Sequence, residues 1–304
     1  MVPWKKVVTG LTGILTPTFH YQLDLNSTAY IQKHTELAAS GYRVNHIAGY
    51  FTELNETVYS AIWEKPAANN PSPPRYAHHA LTGPEYDDLA AKLAAKDYHP
   101  LIVNGYNTED GDVRFATVWE KSQLDFWHQE RDLTKQQVQS FLREHGWEGK
   151  KRLIWMSGYY PPSTAEDPEP EARYVVIAGD RTFPGWHGDW TGYMNRTYLD
   201  FRGDFAGDGG GKKPISLSLR YRNSEPRFDY IWQRYTRSGW DGMPQNWAYT
   251  TNAYADDYEA AWKKHVDAGK TPIAVTGYFQ PGCGMFYVGI FVSFEQPDWV
   301  EGTD

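Results

Sequence analysis

Several features are scarce in this sequence, and each shortage excludes a class of protein. Its 304 residues include one cysteine, Cys283, so neither an internal disulfide framework nor a metal site built from several cysteines is possible. Apolar runs are short, and none approaches the roughly 18 residues that a membrane-spanning helix needs. We therefore expect no membrane partner.

Positive charge and catalytic signatures are also in short supply. The formal net charge of -8, without a cluster of lysine and arginine interleaved with aromatic residues, argues against nucleic acid as a partner. Phosphate-loop, serine-nucleophile and helical zinc motifs are all missing, so we predict no cofactor and no metal. The first residues lack a complete signal peptide, so we expect the secretory pathway or the extracellular space if a leader has been removed, and the cytoplasm otherwise.

Aromatic residues, in contrast, are plentiful. They make up 16% of the chain, including 13 Trp and 22 Tyr. Two interpretations stay open at this point. The aromatic rings pack within a β-rich core, or some of them form a stacking surface or cavity for a flat or apolar ligand.

One segment recurs five times along the chain. "GYRVNHIAGY" with "VYSAIWEK" returns as "DYHPLIVNGY" with "RFATVWEK", and three weaker copies follow. Self-similarity at such a period is typical of repeat architectures. We predict one domain over 1–304, with repeats at about 20–75, 76–125, 126–180, 190–240 and 246–294. A tyrosine marks each copy: Tyr50, Tyr106, Tyr159, Tyr221 and Tyr278.

Each repeat is predicted to be a helix followed by two strands. Thr82 with Glu85, and Thr134 with Gln137, fit the capping box that begins a helix. Glycines that tolerate a left-handed conformation are predicted to end three helices, at Gly41, Gly146 and Gly269, with Asp97 as the exception. A single such unit cannot bury a core, whereas five units can close into a ring without free sheet edges. We predict an α+β fold, a closed five-fold propeller-like ring of helix–strand–strand repeats; the alternative is an open solenoid. Residues 11–23 are expected to pair with the last repeat, and 180–213 to form an inserted loop, a lid or a cation site.

The repeat permits a comparison within the chain, because a functional site should lie where one unit departs from the others. Two positions of the first strand, four and two residues before each marker tyrosine, vary as the lining of a lumen would. The first position holds His46, Ile102, Trp155, Leu217 and Ala274, and the second holds Ala48, Asn104, Ser157, Leu219 and Thr276. On the second strand, Asp229 and Tyr230 are the unusual members.

These residues form the predicted site. His46 is the candidate acid–base group, since imidazole exchanges a proton near neutral pH, with Asp229 or Tyr230 assisting it. The alternative is that His46 and Asp229 are satisfied core residues. The predicted substrate-binding residues are Trp155, Asn104, Ser157, Thr276, Ile102 and Leu217. His78 and His79 precede a capped helix, with His128 and Arg131 in the analogous positions, which indicates a repeated structural contact.

The repeated motif resembles a known tandem repeat. His/Arg-x-Leu-Thr, a helix ending in Gly-Tyr or Asp-Tyr, then Gly-Tyr, then aromatic-Ala-x-Ile/Val-Trp-Glu is similar to the repeat in the N-terminal domain of fungal polyglycine hydrolases. In those hydrolases a β-lactamase-like domain carries the catalytic serine, and nothing in this sequence matches that domain. The resemblance therefore implies the repeat architecture and does not imply the hydrolase activity.

In size and architecture the chain also resembles the fungal hetero-Diels-Alderases of tropolone-sesquiterpenoid pathways. That resemblance implies a secondary-metabolism enzyme joining a quinone methide to a terpene alkene in an aromatic-lined cavity, with acid–base assistance to dehydration. The expected partners are then small apolar or aromatic substrates. The alternative function is a non-catalytic repeat module that binds carbohydrate or peptide.

Overall fold

The computed structural model describes residues 18–52, 54, 56–66, 73–122, 127–145, 152–179, 190–206, 212–222, 225–234 and 247–292. Within these ranges the chain is a mixed α+β protein in which five similar units follow one another. No helix in the described ranges is both long enough and apolar enough to span a membrane.

Every unit contributes a strand, a helix and two further strands. The first unit comprises β1 (Thr18–Leu25), α1 (Ser27–Ala39), β2 (Arg43–Phe51) and β3 (Thr57–Lys65). The second comprises β4 (Arg75–Leu81), α2 (Gly83–Ala94), β5 (Tyr98–Asn107) and β6 (Val113–Lys121). The third comprises β7 (Trp127–Leu133), α3 (Lys135–His145), β8 (Arg152–Tyr159) and β9 (Arg173–Gly179). The fourth comprises β10 (Trp190–Arg196), α4 (Tyr198–Ala206), β11 (Lys212–Arg222) and β12 (Glu225–Arg234), and the fifth β13 (Trp247–Ala253), α5 (Ala255–Asp267), β14 (Thr271–Gln280) and β15 (Gly284–Val292).

Each unit forms a three-stranded antiparallel sheet with its last strand in the middle, as in the order β1-β3-β2. The helix–strand–strand unit predicted from the sequence was therefore one strand short. β1 pairs with β3 of its own unit, so the expected pairing of residues 11–23 with the last repeat is wrong for the part from Thr18 onward. The first strand of each unit is called here the outer strand. The outer strands were not predicted from the sequence because a bulge interrupts their pairing with the middle strand. The residue in the bulge has positive φ in four units: Asp24, Ala80, Asp132 and Asn195.

The helix caps follow the sequence closely. Thr82 and Glu85 form the predicted capping box, and Thr134 and Gln137 bond to each other's backbone amides in the same way. Helix ends behave as predicted for Gly41 and Gly269, which have positive φ. Asp97 takes the same left-handed conformation after α2, which short polar residues tolerate. Gly146, predicted to end the third helix, lies outside the described residues.

The segment 180–213 differs from the prediction of an inserted loop. Its described part contains β10 and α4, the outer strand and helix of the fourth unit. Thr197 and Asp200 cap α4 through reciprocal hydrogen bonds. The third residue after the threonine is an aspartate here and a glutamate in the second unit, so the capping pair does not match the usual sequence motif. Phe201 and Phe205 of this helix are fully buried against β12, so the helix covers its sheet as the others do.

The second strands of the units, β2, β5, β8, β11 and β14, lie at the sheet edges and are called here the inner strands. Each contacts the inner strand of the following unit: β2 contacts β5, β5 contacts β8, β8 contacts β11, and β11 contacts β14. β14 in turn contacts β2, so the fifth unit meets the first.

Candidate functional site

The inner strands share one register, which is set by a bulge. The bulge falls between Val44 and His46 in β2 and between Pro214 and Ser216 in β11, each opposite the same position of the middle strand. Aligned by this bulge, Arg220 occupies the place that tyrosine holds in the other units. This position is called here the register position, and its residues are Tyr50, Tyr106, Tyr159, Arg220 and Tyr278.

The bulge corrects the sequence alignment of the fourth unit by one residue. Ser216 and Ser218, rather than Leu217 and Leu219, correspond to the two variable positions. The wrong alignment arose because Tyr221 served as the marker, whereas the bulge in β11 sets the register. Leu217 therefore points to the opposite face of β11, where it is buried with residues of the fifth unit.

In three places a tyrosine at the register position packs on a glycine of the preceding unit. A Cβ added to Gly49 would lie 2.6 Å from the Tyr106 ring, and one added to Gly105 would lie 2.3 Å from the Tyr159 ring. At Gly277 a Cβ would come within 2.8 Å of Tyr50, which links the fifth unit to the first. Glycine is required there because real Cβ atoms do not approach so closely.

The tyrosine hydroxyls are held by polar partners, which lie in the same unit for Tyr50 and Tyr159 and in the preceding unit for Tyr106. Tyr50 donates to Asp24 Oδ1 at 2.9 Å, and Tyr106 bonds Tyr59 across the unit boundary at 2.9 Å. The Tyr159 hydroxyl donates to Asp132. Burial raises the pKa of these tyrosines, so each phenol keeps its proton.

The fourth unit replaces this arrangement with a buried ion pair. Arg220 bonds Asp229, and its Nη2 donates to Tyr174 Oη at 3.2 Å and to Asn195 Oδ1 at 3.0 Å. Gly158 lies beneath the guanidinium as the other glycines lie beneath tyrosine rings. Desolvation raises the pKa of the Asp229 carboxyl, and the charge of Arg220 opposes that rise. The ion pair with Asp229 compensates the charge of a buried guanidinium between the third and fourth units.

His46, the predicted acid–base residue, is fully buried between units. Its Nε2 bonds the Val275 carbonyl oxygen at 2.9 Å, so Nε2 carries the proton, and Nδ1 has no hydrogen-bond partner among the described residues. Burial lowers the pKa of His46 to about 4, although the bond to Val275 opposes this shift. The imidazole is therefore neutral at neutral pH. Its ring lies 5.8 Å from that of Trp155, which comes from the third unit.

Asp229 and Tyr230 do not join His46. Neither imidazole nitrogen of His46 contacts Asp229, whose carboxylate is committed to Arg220. Tyr230 points to the other face of β12, where its hydroxyl donates to Asp204 of α4. Desolvation raises the pKa of Tyr230, so the phenol stays protonated. The three residues predicted to share a catalytic role thus lie in separate environments.

Three of the six predicted substrate-binding residues bond a neighbouring inner strand. Asn104 Oδ1 accepts from the Gly49 amide at 3.0 Å, and Ser157 Oγ accepts from the Gly105 amide at 3.2 Å. The Trp155 Nε1 donates to the Val103 carbonyl oxygen at 2.9 Å. All six residues are buried: Trp155, Asn104, Ser157, Thr276, Ile102 and Leu217.

A depression opens where four inner strands end, on the side of the hairpin turns. Its volume is about 30 Å³, enough for one or two water molecules. Phe51, Tyr221 and Phe279 follow the register position directly and remain partly exposed at its edge. The lining consists of Gly49, Tyr50, Phe51, Tyr106, Asn107, Leu219, Arg220, Tyr221, Gly277, Tyr278 and Phe279.

Sequence reasoning missed the residues that follow the register position, although a signal was present. An aromatic residue stands directly after that position in four units, at Phe51, Tyr160, Tyr221 and Phe279. In the second unit this residue is Asn107, whose side-chain nitrogen and oxygen both bond the backbone of Tyr160 in the next unit. The marker tyrosines drew attention to the strand before them and away from the residue after them.

These features define a tandem-repeat protein whose units contact one another along their inner strands. Residues 16–66 and 72–122 match the family model described as "Polyglycine hydrolase-like, structural repeat". The first two units are therefore copies of this repeat, and the resemblance stated from the sequence is confirmed for them. Among curated proteins, none matches the chain.

Proposed function

We propose that the chain is a non-catalytic binding module, a single domain in which five units close into a propeller-like ring. Ring closure is supported by the contact of β14 with β2 and by the Tyr50 ring on Gly277, which repeats the contact of Tyr106 with Gly49. A solenoid with free ends would leave Gly277 without a following unit to cover it.

The depression at the ends of the inner strands is the proposed binding site, and it is the observation on which the proposal rests. Aromatic rings such as Phe51, Tyr221 and Phe279 offer flat apolar faces, while buried phenols at the register position keep their protons. Such surfaces bind by apolar contact, with a few polar groups fixing orientation. The partly exposed rings allow a ligand to reach the site without rearrangement of the core.

A peptide without bulky side chains fits this site best. A volume of about 30 Å³ accommodates a small group, so a narrow ligand lying along the depression fits it better than a branched one. A glycine-rich strand is narrow, and its amide planes stack on aromatic rings. The matching family is named after hydrolases of polyglycine, which is consistent with such a ligand.

The proposal is tested by titrating the chain with a hexaglycine peptide and, separately, with chitin and cellulose oligosaccharides, by calorimetry. We expect the peptide to bind and the double variant Phe51→Ala/Phe279→Ala to lose most of that affinity. Tyr76→Ala is the matched control, since Tyr76 is an exposed aromatic residue on the outer strand β4, away from the depression. Saccharide binding without peptide binding, or equal loss in the control, would contradict the proposal.

The hetero-Diels-Alder cycloaddition is the second candidate. The observation in its favour is the contact of His46 with Trp155, an imidazole and an indole from units that are not neighbours in sequence. Against it stands the size of the depression, since sites for drug-sized ligands usually enclose roughly 300–1,000 Å³. Turnover of a quinone methide precursor with a terpene alkene, abolished in His46→Ala, would establish this function in place of binding.

A further inference from the structure

The third unit departs from the repeat on the face of its sheet that helix α3 covers. The middle strands of the other units carry a large aromatic residue under the helix: Trp63, Trp119, Trp232 and Phe291. In β9 the corresponding residue is Ala178. The space that a large ring fills elsewhere is therefore open to other side chains in this unit.

Two imidazoles occupy this region. His128 lies on β7 directly opposite Ala178, and His145 is the last residue of α3. Their rings lie 4.3 Å apart, and Phe141 of the same helix contacts both. Near the ends of α1 and α2 the buried residues are the aliphatic Leu37 and Leu93, whereas α3 ends with the imidazole of His145.

A carboxylate completes the group. Glu130 lies two residues after His128 on β7, hence on the same face of the strand, and its Oε1 is 3.0 Å from His128 Nε2. One donor atom from each of His128, Glu130 and His145 lies within 4.8 Å of the other two. Three groups of this type converge on one point from two elements of secondary structure.

Two imidazoles and a carboxylate form a donor set that suits Zn²⁺ and its neighbours in the first transition series. Bonds of about 2.0–2.2 Å to a tetrahedral metal place the donors about 3.3 Å apart. His128 Nε2 and Glu130 Oε1 are 3.0 Å apart, close to that value, and the other donor separations do not exceed 4.8 Å. His145 is 16% exposed and His128 is 40% exposed, so water can complete the coordination and metal can enter from solvent.

We infer that His128, Glu130 and His145 form a binding site for a single divalent transition-metal ion, with Zn²⁺ as the best fit. The site ties the end of α3 to the outer strand β7, which are joined elsewhere by the apolar contacts of Val138 and Phe141. It lies on the third unit and is independent of the proposed peptide site.

Calorimetric titration with ZnCl2 tests the site on the chain without an affinity tag, after removal of metal with EDTA. We expect one Zn²⁺ per chain and a metal-dependent rise of the unfolding temperature, since a ligand that binds only the folded state stabilises it. Absorption of the Co²⁺-loaded chain in the visible region would report the coordination geometry directly.

Variants separate this site from other histidines. Glu130→Gln and His145→Ala should each weaken Zn²⁺ binding more than about tenfold, because even outer-shell partners of a metal contribute about 10–100-fold to affinity. The matched controls are His20→Ala, at the position on β1 that corresponds to His128, and His265→Ala, near the end of α5. Both controls should bind Zn²⁺ as the unaltered chain does.

Glu130 is largely exposed, so Glu130→Gln leaves the fold intact and keeps the test decisive even if His145→Ala unfolds. The inference is overturned if the unaltered chain binds no Zn²⁺ at millimolar concentration. It is equally overturned if Glu130→Gln binds with unchanged affinity, or if the controls weaken binding as much as the site variants do.

Discussion

Two kinds of contact join successive units of this protein. Between the first and second units, Tyr106 lies on Gly49 and its hydroxyl meets another phenol. Between the third and fourth units, Arg220 lies on Gly158 and its guanidinium meets a carboxylate. The backbone position is the same in both, while one contact is neutral and the other charged.

The difference shows that this departure from the repeat is a compensating pair. Arg220 is accompanied by Asp229, where the other units have Ser60, Ala116, Val175 or Val288. Tyr160 and Tyr174 also lie within cation–π distance of the guanidinium. A buried charge is tolerated only with such partners. Four predictions, from the largest expected effect to the smallest, examine this contrast.

Removal of Asp229 should have the largest effect. Asp229→Asn leaves the Arg220 charge buried and uncompensated, so we expect a loss of about 3–5 kcal/mol in the free energy of unfolding. Urea unfolding measures it. The double variant Arg220→Tyr/Asp229→Ser reproduces the pair Tyr50 and Ser60 of the first unit and should recover much of that loss. A double variant less stable than Asp229→Asn would show that the two contacts are not interchangeable.

His46 should make stability depend on pH. Its pKa is about 4 in the folded chain and about 6.5 in the unfolded one, so the unfolded state binds more protons between these values. The contribution of His46 to the free energy of unfolding is therefore fully present above about pH 6.5. It falls by about 3 kcal/mol as the pH drops to 4. Urea midpoints across this range measure the slope.

His46→Ile, which introduces the residue that the second unit has at Ile102, is the companion variant for this slope. It should flatten the pH dependence by the share that His46 contributes, while partly buried histidines such as His79 keep theirs. An unchanged slope would mean that His46 is not the group that titrates.

A methyl group on a glycine of the neutral contacts should have an intermediate effect. Gly105→Ala forces a Cβ into the Tyr159 ring, and we expect a loss of about 1–3 kcal/mol from overpacking. Gly203→Ala is the control, because a Cβ at this position in α4 meets nothing within 4 Å. The control should stabilise the chain by about 0.5–1 kcal/mol through helix propensity. Equal effects at the two sites in thermal unfolding would contradict the interlocking of units.

Loss of one tyrosine hydroxyl should have the smallest effect. Tyr159→Phe keeps the ring on Gly105 and removes the bond to Asp132, which should reduce stability by about 1 kcal/mol. Urea unfolding beside Gly105→Ala then separates the contribution of the ring from that of the hydroxyl. A loss as large as that of Asp229→Asn would show that the neutral contacts depend on polar bonds as strongly as the charged one does.

The sequence predicted those parts of the fold that local signals specify. The capping pairs at Thr82 and Thr134 and the glycine after α1 are encoded within a few residues, and the structure has them where predicted. The outer strands were missed because their alternation is broken by bulges and their pairing partners lie some 40 residues away.

The candidate site was less predictable. "PISLSLRY" fits a strand in either of two alignments, and only the bulge in β11 places Arg220, rather than Tyr221, with the tyrosines. Because side chains alternate along a strand, that shift of one residue moves Leu217 to the opposite face. Both alignments bury apolar residues, and the one signal that favours the correct alignment is Pro214, which stands where Pro100 and Pro272 stand in the second and fifth units.

The sequence by itself determined the fivefold repeat, the helix ends and the positions at which one unit differs from the rest, because these depend on neighbours along the chain. Only the tertiary structure decided what the differing residues contact: Asp229 meets Arg220 rather than His46, and His128 meets Glu130 and His145. The physical reason is that these contacts depend on how strands and helices pack together, which side-chain chemistry alone does not encode.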